Sequence, residues 1–172
     1  MENIEQYILF NIQLPRMVLA FLVGGALSVS GVSFQSLLKN PLADPYILGV
    51  SGGAAVGYVL GIVVGVPTIV LPVFAFVFAL LVLALLYKLA CRDGVLSVLN
   101  LLLMGIVFNA FCFAIILVIN SLVHFGQGQQ IIYLLIGSLE AAPWSEIAVL
   151  AVVVLFAVIF LWLNASKLNL LC

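Results

Sequence analysis

Few residues in this sequence could carry out chemistry, and their spacing matches no common catalytic or metal-binding pattern. His124 is the single histidine. It lies in a predicted loop with no carboxylate nearby, which fits neither a Ser-His-Asp set nor an H-E-x-x-H zinc motif. The three cysteines form no C-x-x-C pair, so they indicate neither a zinc site nor a disulfide framework: Cys91, Cys112 and Cys172. We therefore expect no catalytic residue, no metal and no cofactor.

The long apolar segments carry no ionisable side chain in their middle. A proton relay or an ion-coupled carrier would place a carboxylate or a histidine there, so neither is expected. The sequence also has no G-x-x-x-x-G-K-[ST] loop to hold the phosphates of ATP. If the protein moves a substrate, its energy must come from another protein.

The composition is that of a membrane protein. Of its 172 residues, 67% are hydrophobic and 6% are charged, and the mean hydropathy is +1.45. An ordinary soluble domain has roughly 25% charged residues. The formal net charge of -1 offers no basic surface for nucleic acid. The lipid bilayer is the expected partner, and nucleic acid is not.

The positions of the charges divide the chain into membrane spans. Between Arg16 and Lys39 lie 22 uncharged residues, enough for one crossing. A second uncharged stretch, 45–87, is too long for one span and is broken by Gly65-Val66-Pro67. These intervals predict an all-α, polytopic transmembrane helical bundle in a single domain over 1–172. It has five spans and one short non-spanning helix at about 130–138; the spans are about 16–38, 48–65, 69–88, 99–123 and 147–163.

The basic residues predict the orientation of these spans. If the first span runs from outside to inside, four basic residues are cytoplasmic and Arg16 alone is external, as the positive-inside rule favours. The four are Lys39, Lys88, Arg92 and Lys167. The N-terminus would then face the exterior without a signal to take it there. We therefore expect an upstream helix to precede this sequence in a longer membrane protein.

Glycine recurs every fourth residue along the second span. This spacing places the residues near one face of a helix, where another helix can approach closely. Close packing is the favoured interpretation, and a smooth wall of a translocation pathway is the alternative. Together with Ser51, the candidates for either role are Gly49, Gly53, Gly57 and Gly61; Gly65 continues the spacing.

Several sequence segments resemble the FecCD family, the membrane permeases of bacterial ABC importers for iron-siderophores, haem and vitamin B12. The segments are Leu14-Pro15-Arg16, residues 24–31, Asn40-Pro41-Leu42-Ala43-Asp44-Pro45 with residues 46–54, residues 101–106, and Gly137-Ser138-Leu139 with Trp144. The resemblance implies part of a ten-span permease, corresponding to spans two to six. It also implies cytoplasmic ATPase subunits, a periplasmic or extracellular binding protein and a second permease copy.

The same resemblance suggests roles for individual residues. Arg16 matches an arginine at the external mouth that pairs with a glutamate of the binding protein, and Gln13 stands where many relatives have a second arginine. The alternative for Arg16 is an anchor that reaches to the lipid headgroups. The cytoplasmic turn is structural or relays ATPase movement, and its residues are Asn40, Pro41, Asp44 and Pro45.

The resemblance also implies a cytoplasmic gate at the start of the fourth span, at Ser97, Leu99 and Asn100. Asn109 is a polar candidate further along this span, which resembles the helix that lines the pathway. The predicted function is alternating access in the bacterial cytoplasmic (inner) membrane, driven by ATP hydrolysis on a partner subunit. The resemblance implies that the substrate is an iron-siderophore, haem or a cobalamin. A passive pore is disfavoured because no filter sequence is present, and a non-functional or purely structural fragment is the remaining alternative.

Overall fold

The computed structural model describes residues 2–41, 43–92, 95–139 and 142–166, and it confirms the predicted all-α class. Three residues of the sequence analysis lie outside the described part of the chain: Leu42, Lys167 and Cys172. The described strands are a two-residue antiparallel pair, β1 (Cys91–Arg92) and β2 (Val95–Leu96).

The chain divides into two compact units. The first comprises Met1–Ala43 and Ser138–Cys172, and the second comprises Asp44–Gly137. The helices of the first unit are α1 (Glu2–Ile8), a π-helical turn (Leu9–Gln13), α2 (Leu14–Leu38) and α7 (Trp144–Leu163). Those of the second are a 3-10 turn (Pro45–Leu48), α3 (Val50–Val64), a second 3-10 turn (Thr68–Val70), α4 (Leu71–Ala90), α5 (Val98–Leu122) and α6 (Phe125–Ile136).

The helix that contains α2 begins much earlier than residue 16, where the first span was expected to start. Its three segments continue into one another, and Pro15 explains the π-helical turn between them. Proline has no N–H and its ring collides with the carbonyl four residues back, so the preceding turn widens. Here the Leu14 N–H donates to the carbonyl of Leu9, five residues back. Within this unit α2 packs along α7.

Four helices of the described chain are long and apolar enough to cross a membrane. They are Ile4–Leu38, Thr68–Ala90, Val98–Leu122 and Trp144–Leu163. The remaining predicted span is represented by α3, whose 15 residues cover about 22 Å of a hydrocarbon core about 30 Å thick. Its first residues, expected to be helical from 48, instead form the end of a 3-10 turn.

In the second unit α3 packs between α4 and α5. A buried apolar cluster joins these helices to α6 and consists of Val59, Ile62, Leu71, Ile116 and Ile131. Ile131 is 0% exposed, so the short helix α6 is anchored in the core. It begins at Phe125, five residues before the expected start, and the Gln127 side chain in its first turn donates to the Ile62 carbonyl.

Candidate functional site

The turn after α2 is formed by backbone hydrogen bonds between near neighbours. Lys39 ends the helix in the left-handed region, with φ 50°, and the Asn40 N–H donates to the carbonyl of Gln35 over 3.2 Å. The Ala43 N–H then donates to the Asn40 carbonyl over 3.0 Å. Pro41, between them, is exposed. These contacts give a compact turn at the predicted position.

The chain then enters a 3-10 turn whose two ends are fixed by residue type. The Asp44 side chain accepts a 2.8 Å hydrogen bond from the Tyr46 N–H, and Pro45 occupies the first position, where no N–H is needed. Gly49 ends the turn with φ 73°, a conformation that glycine adopts without strain. We call Pro45–Gly49 the re-entrant segment, because it lies against the middle of α5.

A side chain of α5 fixes the depth of this segment. The Asn109 side-chain nitrogen donates to the carbonyl oxygen of Tyr46 over 3.3 Å. Asn109 follows the first residue of α5 by eleven positions, which is about 16 Å along the helix axis. The re-entrant segment therefore reaches about halfway along α5 and does not stay level with its first turn.

Glycines allow the two backbones to meet there. A Cβ on Gly105 of α5 would collide with the Ile47 carbonyl oxygen and stand 2.9 Å from the Leu48 Cα. A Cβ on Gly52 would collide with the side-chain oxygen of Asn109 and stand 3.1 Å from the Cβ of Cys112. Both positions therefore require glycine for the present packing.

The glycines at every fourth position of α3 lie against α4. Added Cβ atoms would stand 2.6 Å from side-chain atoms of Val82, Phe78 and Leu71 at Gly53, Gly57 and Gly61, respectively. Gly49 faces both α4 and α5, with Leu86 at 3.1 Å and the Gly105 carbonyl oxygen at 3.2 Å from an added Cβ. Gly65 has open space and a φ of 79°, so it ends the helix rather than packing.

Ser51 lies in the first turn of α3, beside this tightly packed region. Its hydroxyl oxygen is buried and has no hydrogen-bond partner within the described part of the chain. The side-chain oxygen of Asn120 in α5 is likewise buried and without a hydrogen-bond partner among the described residues. A translocation role for Ser51 or for the glycines stays a prediction.

The residues predicted as a gate lie at the start of α5. The Ser97 hydroxyl accepts a 3.3 Å hydrogen bond from the Asn100 N–H and so caps the helix. Leu99 is 66% exposed, and Asn100 is exposed as well. The arrangement accounts for Ser97 as a helix cap, whereas the gating role stays a prediction.

Gln13 and Arg16 lie on the long first helix, three residues apart and both exposed. Residues with this spacing are neighbours on a helix surface. Both side chains could therefore meet the same partner, but docking at these residues stays a prediction.

A groove of about 440 Å³ lies between α2 and α7 in the first unit. Its lining includes Ser28, Ser33 and Trp162. The hydroxyls of Ser28 and Ser33 donate to the carbonyls of Gly24 and Val29, each over 2.8 Å. These hydroxyls are thus satisfied by the backbone of their own helix, and the groove is largely apolar.

Sequence reasoning missed three residues that organise the second unit: Gly52, Gly105 and Gln127. The Gln127 side-chain nitrogen donates to the carbonyl of Ile62 near the end of α3, over 3.2 Å. The quoted motifs contain Gly52 and Gly105, but a sequence does not show which helix each one faces. Nothing in the sequence near Gln127 indicates a partner 65 residues away.

The fold and these contacts define a multi-pass helical membrane protein. The chain belongs to the FecCD transport family, whose match covers residues 1–172, and this confirms the resemblance found in the sequence. The family is one of membrane permeases, and the chain is a protein of the bacterial cytoplasmic membrane.

Individual relatives agree with this assignment. The uncharacterized ABC transporter permease protein YvrB of Bacillus subtilis (strain 168) is 42% identical over 168 residues, covering 94% of this chain and 47% of the relative. The hemin transport system permease protein HmuU of Yersinia pestis is 39% identical over 171 residues, covering 96% and 51%. The chain thus spans about half the length of the curated relatives it matches.

A solved structure has the same fold. It is an inward-facing conformation of an ABC transporter assigned to the metal-chelate type. It matches with a TM-score of 0.85 and 29% sequence identity, covering 98% of this chain and 54% of the solved chain. The arrangement of helices is therefore that of part of an ABC permease.

Proposed function

We propose that this chain forms part of the translocation pathway of an ABC importer and changes conformation by alternating access. The observation that carries the proposal is the match to a permease family along the whole sequence. The absence of ionisable residues from the middle of the predicted spans supports an external source of energy. ATP hydrolysis on cytoplasmic partner subunits would supply it.

The proposed substrate is an iron chelate such as an iron-siderophore or haem, with a cobalamin as the related alternative. The hemin permease among the relatives supports haem, and the solved metal-chelate transporter supports the wider class. A second permease copy would complete the pathway. A periplasmic or extracellular binding protein would deliver the substrate, with Arg16 and Gln13 facing it.

A chimera tests this function directly. The chain replaces the matching 171 residues of the Yersinia pestis hemin permease, and uptake of haem into proteoliposomes is measured with the ATPase and the binding protein of that system. We expect uptake that requires ATP and both partners. Uptake by this chain alone without an ATPase would contradict the proposal, and an assembled but inactive chimera would favour the purely structural alternative.

The docking role of Arg16 is tested by Arg16→Glu in the same chimera. Reversing the charge should weaken binding of the binding protein if a carboxylate faces Arg16, and added salt should reduce the difference because exposed charges are screened over about 8 Å at physiological ionic strength. The matched control is Lys39→Glu, a reversal at the predicted opposite side. Equal affinity of Arg16→Glu and the unchanged chimera at low salt would leave Arg16 as a membrane anchor.

A further inference from the structure

The backbone carbonyl groups of the re-entrant segment need hydrogen-bond donors, which the apolar interior of a membrane does not supply. These carbonyl groups are not part of a regular α-helix, and hydrocarbon supplies no water to bond them. Non-helical backbone at this depth is stable only where protein covers it and supplies donors. The inner end of the segment meets the first condition, since Leu48 is 2% exposed and Gly49 is buried, whereas the Tyr46 residue as a whole is 63% exposed.

Asn109 meets the second condition. Its side-chain nitrogen donates to the Tyr46 carbonyl, which also accepts a 3.3 Å bond from the Gly49 N–H. The side-chain oxygen of the same amide lies against Gly52, in the first turn of α3. One asparagine therefore contacts the re-entrant segment on one side and the start of α3 on the other.

We propose that Asn109 is a positioning residue that fastens the re-entrant segment to α5, so that the segment, the start of α3 and α5 move as one body. The close backbone contacts of Gly105 with Ile47 and Leu48 provide steric complementarity, and the Asn109 amide provides a directional hydrogen bond. The relevance to transport rests on the proposed function, whereas the fastening itself is a property of this chain alone.

Hydrogen–deuterium exchange of the chain in lipid nanodiscs tests the fastening. The reporters are the N–H groups of Ile47, Gly49 and Gly53, which donate to carbonyls within this region at 3.0–3.3 Å. Asn109→Leu should accelerate their exchange about tenfold, the factor expected when one ordinary hydrogen bond no longer opposes local opening. The control Asn100→Leu changes the same residue type at an exposed site of α5 and should leave the rates unchanged.

A covalent bond can replace the contact that the Asn109 amide makes with the start of α3. A Cβ on Gly52 would stand 3.1 Å from the Cβ of the native Cys112, so the two helices need to separate by a few tenths of an ångström to reach the roughly 3.5–4.5 Å of disulfide-bonded cysteines. In Asn109→Ala/Gly52→Cys, with Cys91 and Cys172 changed to serine, the collision with Asn109 is relieved. Oxidation should restore slow exchange at the reporters, and reduction should remove it, while α4 and α7 exchange unchanged in both states. This double variant decides the question even if Asn109→Leu folds poorly.

Uptake by the haem chimera tests the movement as one body. Oxidation should leave uptake by this variant within about twofold of its own rate after reduction, because bodies that move together tolerate a link. Loss of uptake on oxidation with recovery on reduction would overturn the proposal, as would unchanged exchange in Asn109→Leu. An unchanged chimera without any uptake would instead count against the proposed function, and the exchange experiment would still decide the role of Asn109.

Discussion

Gly57 of α3 and Phe78 of α4 leave no room between them for a methyl group, since a Cβ on Gly57 would stand 2.6 Å from the Cβ of Phe78. The Phe74 carbonyl oxygen would be 2.7 Å away, so backbone as well as side chain blocks the position. Among membrane helices, such contacts replace the hydrophobic driving force that water provides elsewhere. The α3–α4 pair is therefore sensitive to any side chain at Gly57.

Gly57→Leu should lower the free energy of unfolding of the second unit by about 1–3 kcal/mol, the usual cost of overpacking a close contact. The measurement is the midpoint of thermal unfolding in detergent, together with the yield of monodisperse protein. Gly25→Leu is the matched control, because nothing lies within 4 Å of a Cβ at Gly25. Equal midpoints for the two variants would show that the α3–α4 contact does not limit stability.

Lys39→Gly should stabilise the end of α2. Lys39 has φ 50° and ψ 37°, a conformation that costs an L-residue about 1–2 kcal/mol and glycine much less. The greater freedom of glycine in the unfolded chain offsets part of this gain, so the net stabilisation is about 0.5–1 kcal/mol. Lys39→Ala removes the same charge but keeps a Cβ, and it should show no gain in the same unfolding experiment.

Gln127→Leu should destabilise the junction of α3 and α6. It removes the donor to the Ile62 carbonyl, which keeps only its 3.1 Å bond from the Gly65 N–H. The expected loss is about 1 kcal/mol, the net worth of one hydrogen bond. Gln130→Leu, at an exposed site of the same helix, is the control. Similar losses in both variants would mean that the Gln127 bond contributes nothing specific.

The predicted orientation is tested by labelling single cysteines in intact cells, in a background where the three native cysteines are serine. An impermeant thiol reagent added outside should label Arg16→Cys and leave Lys39→Cys unlabelled, because the basic residues favour a cytoplasmic turn after α2. Permeabilised cells should label both. The reverse pattern in intact cells would mean that the orientation is inverted.

Charge spacing and glycine spacing predict much of this fold because each is a local property. The limits of α5 differ from the predicted 99–123 by one residue at each end, since a polar segment precedes it and a Gln-rich segment follows it. The early start of the first helix was missed because Arg16 was used as the boundary of the first span. A charged residue marks where a helix leaves the bilayer, but it does not show whether the helix ends there or continues outside the membrane.

The candidate site was harder to predict because its contacts join residues distant in sequence. Asn109 was chosen as a polar residue of a pathway helix, but its partner is the Tyr46 carbonyl 63 residues earlier. Every residue has a backbone carbonyl, so the sequence does not indicate which one accepts the hydrogen bond. The shortening of α3 has the same origin, because Pro45 permits either a helix start or a 3-10 turn and the packing against Gly105 selects the turn.

The bond between Gln127 and Ile62 can form only late in synthesis of the chain. The two residues are 65 positions apart, and ribosomes add about 5–20 residues per second. About 3–13 s therefore pass between synthesis of Ile62 and synthesis of Gln127. During that interval the end of α3 lacks its donor, and the core position of Ile131 is empty. The speed of translation through α4 and α5 thus determines how long the nascent protein is exposed to membrane proteases before its second unit can close.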